Sequence, residues 1–446
     1  MAGFLNAKQR ALAPPDHPLR RRLNDEAHAR PPERISAPAR ISFLALIATP
    51  EQRAQAWETI AELARRHGAP SVPDKGDHYS ADFGRFRFKA ERHTEFMRVT
   101  VIAPSYGCGG SAQPFAETAI ESADASWIAD LPGEVICAIH AVIAPAEQWP
   151  PDPVESSRDF GSMDGVVGAT ISGGAGAAFT DLRIRDDGFG RLLILDHGMS
   201  QGKIGRSLQR LMEMDTYRML ALLAFPIARA RMSELTKIER ELTSVTEGLV
   251  SAQEEEERGL LERLTGLAAQ VEHLQSESQF RFAAAASYYE LVERRIGELR
   301  EERIEGLPTF REFMDRRLAP AMRTCRTVAE RQESLSARVA RATELLSTRV
   351  EVSSQRQSHA LLDSMNRRAQ LQLRLQETVE GLSVAAITYY IVGLVGHAAE
   401  GLEVEGVPIS PVLAMAVAIP IVLVLVAVGV RRIRKSVARA FGDTAD

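Results

Sequence analysis

Cysteine is nearly missing from this sequence: Cys108, Cys137 and Cys325 are the three in 446 residues, far apart and without CxxC spacing. That excludes a disulfide framework or a zinc knuckle and fits a reducing cytoplasm. A surplus of positive charge is missing too. With a net charge of -5 and a pI near 6.1, the chain has no global electrostatic reason to hold nucleic acid. No Ser/His/Asp elbow, HExxH or paired CxxC occurs, so no catalytic motif marks an enzyme and no cofactor is evident. "HGMSQGKIGRS" falls short of a phosphate loop, because His197 stands where that pattern needs Gly and Ile204 where it needs Ser or Thr. "GATISGGAGAAF" lacks GxGxxG spacing and reads as a strand-edge turn or bulge. The first residues, "MAGFLNAKQRALAPPDHPLRRR", hold no continuous apolar stretch, so no secretory signal is expected.

What the chain does have is greasy length near its end. Gly381 to Ala399 carries no charged residue, nor does Gly406 to Val430, and each run is long enough to cross a ~30 Å hydrocarbon core as a helix. Between them "EGLEVE" places Glu400, Glu403 and Glu405 with no Lys or Arg, while "RRIRKSVARA" follows the second run. By the positive-inside rule both chain ends are cytoplasmic and the acidic loop faces out. "VLAMAVAIPIVLVLVAVGV" has no polar face, which argues against a buried core helix. Ala414 and Ala418 form a small-xxx-small pair, and Pro420 is expected to kink this span. On the first span Ser383, Ala386, Tyr390, Gly393 and His397 make one small-or-polar stripe. It reads either as a helix interface or as a pore lining.

Upstream, residues 226–380 have the Glu/Arg/Leu/Ala/Gln composition of long helices, expected near Ile227–Glu257, Leu260–Arg303 and Thr309–Glu380. "EGLPTF" is the one clear break, with Gly306 ending a helix, Pro308 unable to continue it and Thr309 capping the next. Pro320 should kink that helix or delay its start. An apolar seam at Leu335, Val339, Ala342, Leu346 and Val350 gives way to Ser353 and Gln357, then resumes at Leu371, Leu375, Val379 and Leu382. One helix should therefore run from cytoplasm into bilayer as a coiled-coil-like stalk. Its polar interruption suggests a hydrated layer in an oligomer, or packing in an antiparallel bundle with the two helices before it. "EEEER", Glu254 to Arg258, is a solvated helix face.

Residues 35–225 read as a mixed domain, α/β or α+β. "RISFLALIAT" is a strand. A helix runs from Pro50 to Gly68, "YSADFGRFRFKAERHTEFMRVTVIAP" is a hairpin, and "EVICAIHAVIAP" is another strand. Three more strands follow, with "DDGFG" as a turn, before a helix capped by Ser200 whose apolar face lies on the sheet. Trp57, Trp127 and Trp149 fall in separate elements as core residues.

"HPLRRRLNDEAHARPP" packs unusual chemistry into the start of the chain. Asp16 and Pro18 suit the cap and first turn of a helix over "PLRRRLNDEAHA", with Leu19, Leu23 and Ala27 as its buried stripe. Asn24 and His28, four apart, share a face, but Glu26 projects from another side, so His17, Asn24, Glu26, His28 and Arg30 do not make a metal shell. The preferred role is a structural lock in which His28 and Arg30 tie the helix to the rest of the protein. The alternative is ligand or partner binding.

"HPLR", "NDEAHARPP", "TYRMLALLAFP" and the closing pair of membrane helices are similar to a bacterial family of uncharacterised, predicted membrane-anchored proteins found mainly in proteobacteria, across essentially the whole chain. That resemblance implies a place in the inner membrane and supplies no mechanism. The order of a cytoplasmic α/β domain, long helices, a stalk entering the first of two membrane helices, an acidic outer loop and a basic tail also resembles the CorA magnesium-channel family. There the first span ends in Gly-Met-Asn; here "GLVGHAAEG" keeps Gly396 but places His397 and Ala398 after it.

The expected organisation is thus an N-terminal motif helix and arm (1–34), a cytoplasmic α/β domain (35–225), a helical stalk (226–380), a transmembrane hairpin (381–435) and a cytoplasmic tail (436–446). The expected function is that of a homo-oligomeric, non-enzymatic inner-membrane protein whose cytoplasmic domain binds a partner or ligand. The alternative is a CorA-like divalent-cation channel, lined from Ser383 to His397, with Glu400, Glu403 and Glu405 drawing cations to its mouth.

Overall fold

The computed structural model describes residues 16–28, 31–73, 76–105, 114–123, 126–149, 165–404, 408 and 410–442. The chain divides into two compact units, Met1–Ser251 with Glu262–Thr343, and Ala252–Leu261 with Glu344–Asp446.

The first unit is mixed α+β. After helix α1 (Arg20–His28) comes strand β1 (Ala39–Ile47), an apolar run buried along nearly its whole length. Helix α2 (Pro50–Arg66) starts where local chemistry dictates. Thr49 Oγ1 accepts from the Gln52 N–H, Gln52 Oε1 accepts from the Thr49 N–H, and Pro50 takes a position that needs no donor. Gly68, at φ +65°, follows it in the left-handed conformation. The stretch read from sequence as one hairpin is three strands, β2 (His78–Asp82), β3 (Arg87–Arg92) and β4 (Phe96–Pro104). The additional reversal lies at Phe83–Phe86, where Asp82 accepts from the Gly84 N–H. The run "FGRF" hid it by keeping an apolar residue on both sides of the turn.

Short helices α3 (Ala119–Ser122) and α4 (Ser126–Ala129) precede β5 (Glu134–Pro145), β6 (Val167–Ile171), β7 (Gly176–Thr180) and β8 (Gly190–Asp196). With β9 (Glu302–Arg303) they form one nine-stranded sheet, ordered β2-β3-β4-β1-β5-β8-β7-β6-β9 and antiparallel except for β5 beside β8. Side chains alternate across β1. Leu44 and Leu46 join Trp57, Ile60 and Leu63 of α2 in one core, while Ala45, opposite Arg98 of β4, faces helix α5 (Gln201–Leu222). Ser200 sits at the N-cap of α5, but its side chain makes no capping bond. Trp57, Trp127 and Trp149 are buried, as core residues should be.

Long helices follow: α6 (Ala224–Ser251), α7 (Glu254–Leu299), α8 (Phe310–Arg317) and α9 (Ala319–Val404). The break at "EGLPTF" is where the sequence places it, with Gly306 at φ +84° and a reciprocal Thr309–Glu312 cap starting α8. Pro320 ends one helix and opens the next, falling in the second position of α9. Sequence periodicity missed β9. Arg300 adopts φ +49°, which stops α7 and lays Glu302 and Arg303 along the edge of β6, inside a segment whose composition is wholly helical.

The second unit contains the remainder of α9 and α10 (Pro411–Gly442). Two helices hold stretches long and apolar enough to cross a membrane, one in α9 and the other Pro411–Ile433, and none of the latter's most apolar window is buried within the chain. Pro420 lies inside α10. Glu400 and Glu403, read from sequence as loop, belong to the last turn of α9, because nothing between Gly381 and Val404 interrupts helical hydrogen bonding; Glu405 lies outside the described residues.

Phe179 of β7 is fully buried, and Gly168 on β6 leaves it space: a Cβ there would sit 2.7 Å from the ring. Phe179→Ala should lower stability by about 3–5 kcal/mol. Denaturant titration of detergent-solubilised protein, followed by tryptophan fluorescence, will read the shift in midpoint.

Candidate functional site

Residues 31–36 cross the start of α5 as an extended arm. Lys89 Nζ donates to the Pro31 carbonyl (3.1 Å), and the Glu33 carboxylate takes the Ser80 hydroxyl (2.7 Å) and the Arg87 guanidinium (2.8 Å). The Ile35 N–H donates to the Gln201 carbonyl (3.2 Å), and the Gln201 amide to Ser36 Oγ (2.9 Å). Gly205 of "GKIGRS" has its reason here. A Cβ there would lie 1.7 Å from the Glu33 carbonyl oxygen, so the arm needs the bare backbone.

Under the arm runs a chain of charges. Lys89 pairs with Glu91 (3.1 Å), Glu91 with Arg98 (2.9 Å), Arg98 with Glu213 (2.9 Å), and Glu213 with Arg295 (2.5 Å). Arg295 then pairs with Glu298 (2.9 Å), which also holds Arg210 (3.1 Å). Lys89, Glu91, Arg98 and Glu213 are all buried. Burial alone would raise the pKa of Glu213, but Arg98, Arg295 and the Gln209 amide outweigh it and hold the carboxyl below its ordinary range. Burial opposes charge on Arg98 too, and Glu91 and Glu213 more than offset it.

The network braces one wall of a cavity of about 420 Å³. Tyr217, one turn from Glu213, stacks with Tyr288 at 5.8 Å between centroids and meets Phe96 edge-on; His93 stacks on Phe96 at 4.3 Å. Asp77 and Arg92 complete the rim, paired at 3.2 Å, with the guanidinium over the Trp57 ring. Tyr288 donates to Glu95 (3.0 Å), and its pKa is raised by burial and by that carboxylate. Fixed aromatic walls with a charged rim suit a flat ligand bearing a polar edge. A second cavity, of about 540 Å³, lies between α7 and α9 against Cys325, whose thiol burial pushes up to about 11. Cys137 is likewise shifted upward, by burial and by Asp215. Neither thiol is an activated nucleophile.

Folding also brings together a Ser, a His and an Asp that are far apart in sequence. Ser42 Oγ lies 2.9 Å from His140 Nδ1, and Asp187 lies 4.0 Å from the other ring nitrogen. The order is unsuited to nucleophilic catalysis: Ser42 is completely buried, its oxygen already accepts from the Ile120 N–H (3.0 Å), and 4.0 Å is too long for a hydrogen bond. His140 stacks flat on Phe189 at 3.9 Å. Burial first, then Arg191, lower its pKa to about 4 against the pull of Asp187. The trio fastens β1, β5 and α3 with a neutral imidazole.

A family model described as "Protein of unknown function (DUF3422)" matches residues 15–437. The chain belongs to this family. No curated protein matches it, and no solved structure does. The CorA-like alternative draws no support from these comparisons. As a DUF3422 member the chain keeps the membership expected from its opening motif and closing helices, and with it a function that must be read from the site itself.

The structure distributes the sequence-predicted residues unevenly. In the DUF3422 opening motif, Asp16 pairs with Arg20 and His17 Nδ1 accepts from the Leu19 N–H (3.2 Å), so the helix begins at Arg20 rather than Pro18. Leu19 and Leu23, expected to be buried, are 45% and 62% exposed, because among the described residues no sheet or helix covers them. Asn24 is exposed as well. The side chains of Glu26 and His28, and Arg30 altogether, lie outside the described residues. The contacts shown next to the motif are those of residues 31–36, which sequence reasoning passed over. Their signal was the pair of prolines before "ERIS", forcing an extended path. Among the described residues no group of three or more His, Cys, Asp or Glu could hold a metal ion. On α9, Ser383, Ala386, Tyr390 and His397 are exposed and Gly393 is half-buried, while Thr388, Val392, Gly396 and Ala399 are buried. Gly396 admits Met415 of α10, whose sulfur would lie 2.7 Å from a Cβ. Glu400 accepts from or shares a proton with His397 Nδ1 at 3.2 Å, and Glu403 is exposed.

Gly205→Ala should dislodge the arm. Limited trypsin digestion is expected to cut after Arg34 several-fold faster than in the parent. His140 supplies a pH test. The unfolded chain takes up a proton between about pH 6.5 and about 4 that the folded imidazole refuses, so stability falls as pH drops through that window. His140→Gln should flatten this fall by on the order of 2–3 kcal/mol, measured by unfolding parent and variant at both ends of the window.

Proposed function

We propose that this chain is a non-enzymatic, oligomeric protein of the bacterial inner membrane, held by a helical hairpin, whose first unit binds a cytoplasmic partner or small ligand. One observation carries the membrane part: residues 411–430 carry no charge, and none of the most apolar window of that helix is buried within the chain. At 1.5 Å per residue they are ~30 Å long, enough for a ~30 Å hydrocarbon core, and leaving that much apolar surface in water would be prohibitive. Charge distribution supports the orientation. Arg431 and Arg432 follow the second span at once, and Arg367, Arg368 and Arg374 precede the first, whereas Glu400 and Glu403 lie between the spans with no Lys or Arg. The first unit then faces the cytoplasm, and the aromatic cavity beside Tyr217 and Tyr288 is its candidate place for a flat ligand with a polar edge. The lack of net positive charge argues against nucleic acid as that partner.

Two measurements on the full chain test this reading. The protein should stay in the pellet when membranes are washed at alkaline pH. A cysteine at Val404 should react with an impermeant maleimide in intact cells, while a tag after Asp446 reacts with its antibody only after permeabilisation. Recovery in the soluble fraction without detergent, or a tag reached from the periplasmic side, overturns it.

A further inference from the structure

One line of side chains along α9 is mismatched to both of its surroundings. Leu371, Leu375, Val379, Leu382, Ala386, Tyr390, Gly393 and His397 follow one another at spacings of 4, 4, 3, 4, 4, 3 and 4. The pattern repeats every 11 residues and so stays on one side of the helix, with a slight right-handed drift. In the part that precedes the span the line is apolar and uncovered: Leu371 is 64% exposed, Leu375 67% and Val379 55%. Within the span it turns small and polar, where lipid would favour the reverse. A face that is greasy in water and polar in lipid is suited to neither solvent. It is suited to protein.

The protein that covers it is not α10. The residues of α9 buried against the rest of the chain in the span are Thr388, Val392, Gly396 and Ala399. At 100° per residue that face lies roughly 140° round the helix from the stripe of Ser383 to His397. The two glycines make the contrast plain. Gly396 leaves space for Met415, but among the described residues nothing comes within 4 Å of a Cβ placed on Gly393. A glycine on a membrane helix serves close approach of another helix, and among the described residues Gly393 meets none.

We infer that this line is the contact between copies of the chain, which associate in parallel and in register along α9 from the cytoplasm into the bilayer. The inference rests on the membrane reading, which supplies the orientation: copies anchored in one membrane present the same residues at the same height. A covering partner must itself pass from water into lipid without a break beside α9, and a second copy does so by identity. The flanks permit it. Arg367 and Arg374 border one side of the line and Gln372 and Gln376 the other, so parallel copies set Arg against Gln rather than like against like. Leu361 and Arg368 prolong the line upstream, Arg368 with a stem long enough to return its charge to water. From Leu361 to His397 is ~54 Å of helix; at a width of ~10 Å, two copies bury about 1,000 Å², the level a specific association needs.

Single cysteines test it in full-length protein in native membranes under mild oxidation. The unsubstituted chain fixes the background from Cys108, Cys137 and Cys325. Leu371→Cys, Leu375→Cys and Leu382→Cys should each give a disulfide-linked dimer well above that background. Leu373→Cys is the control, an equally apolar residue, 57% exposed, on the far side of the helix. Same-residue links at several successive positions arise only from parallel, in-register copies. Absence of links on the line, or equal linking at Leu373, overturns the inference. An alkaline wash of the same samples separates the two readings: links in protein that washes off would keep the seam and remove the anchor, while washed membranes that retain unlinked protein do the opposite.

Discussion

The guanidinium of Arg98, buried between Glu91 and Glu213, is the interaction on which the first unit turns. A lone charge there would be ruinous, so each member of the chain from Lys89 to Arg210 requires the next. Because the members come from β3, β4, α5 and α7, satisfying them fixes how those elements meet. A well-packed apolar replacement of the whole set would hold the unit together equally well. What the ions add is position. Glu213 sets the turn of α5 that carries Tyr217, Arg295 sets α7 beside it, and Lys89 reaches out to Pro31 of the arm. The aromatic cavity and the arm are thus two consequences of one arrangement.

Local chemistry was legible wherever it acts alone. The start of α2 at Pro50, the Gly306–Pro308–Thr309 break and the strand at Glu134–Pro145 needed no neighbour to declare them. β9 was illegible, since two residues leave no periodicity and a left-handed Arg300 is a decision made by the sheet edge. The ion chain was also hidden. Glu91, Arg98 and Glu213 look like solvent-facing charges in any linear reading, and only tertiary pairing separated by 115 residues reveals them. Gly205 shows the limit from the other side. Its place in a Lys-containing glycine cluster invited a comparison with phosphate binding, yet its cause is the Glu33 carbonyl passing over it. Such a cause has no local trace.

In the opening motif the expected buried stripe does not form at Leu19 and Leu23, while the side chains of His28 and Arg30, on which the expected lock depends, lie outside the described residues. Leu19 and Leu23 do share one face, but a shared face buries nothing unless another element reaches it. The rigid prolines just beyond it mattered more. They deliver Glu33 and Ile35 as extended backbone, where hydrogen bonds to Gln201 and Ser80 and the burial of Ile35 hold the arm in place.

The same reasoning joins the two ends of the chain. A side chain placed against the preference of its surroundings implies a partner that corrects the placement. Arg98 in a protein interior implies carboxylates, and they are there. Leu371 and Leu375 in water, with Tyr390 and His397 on the same line inside an apolar span, imply a covering surface that α10 does not provide. The unbroken α9 makes the two halves of that line inseparable. It is one helix from Ala319 to Val404 with no proline after Pro320, so it has no sharp kink at which the part before Gly381 could turn toward one partner and the apolar part after it toward another. Whatever meets Leu375 is therefore constrained to meet Tyr390 as well, which, on the membrane reading proposed above, narrows the occupant to a chain with the same path.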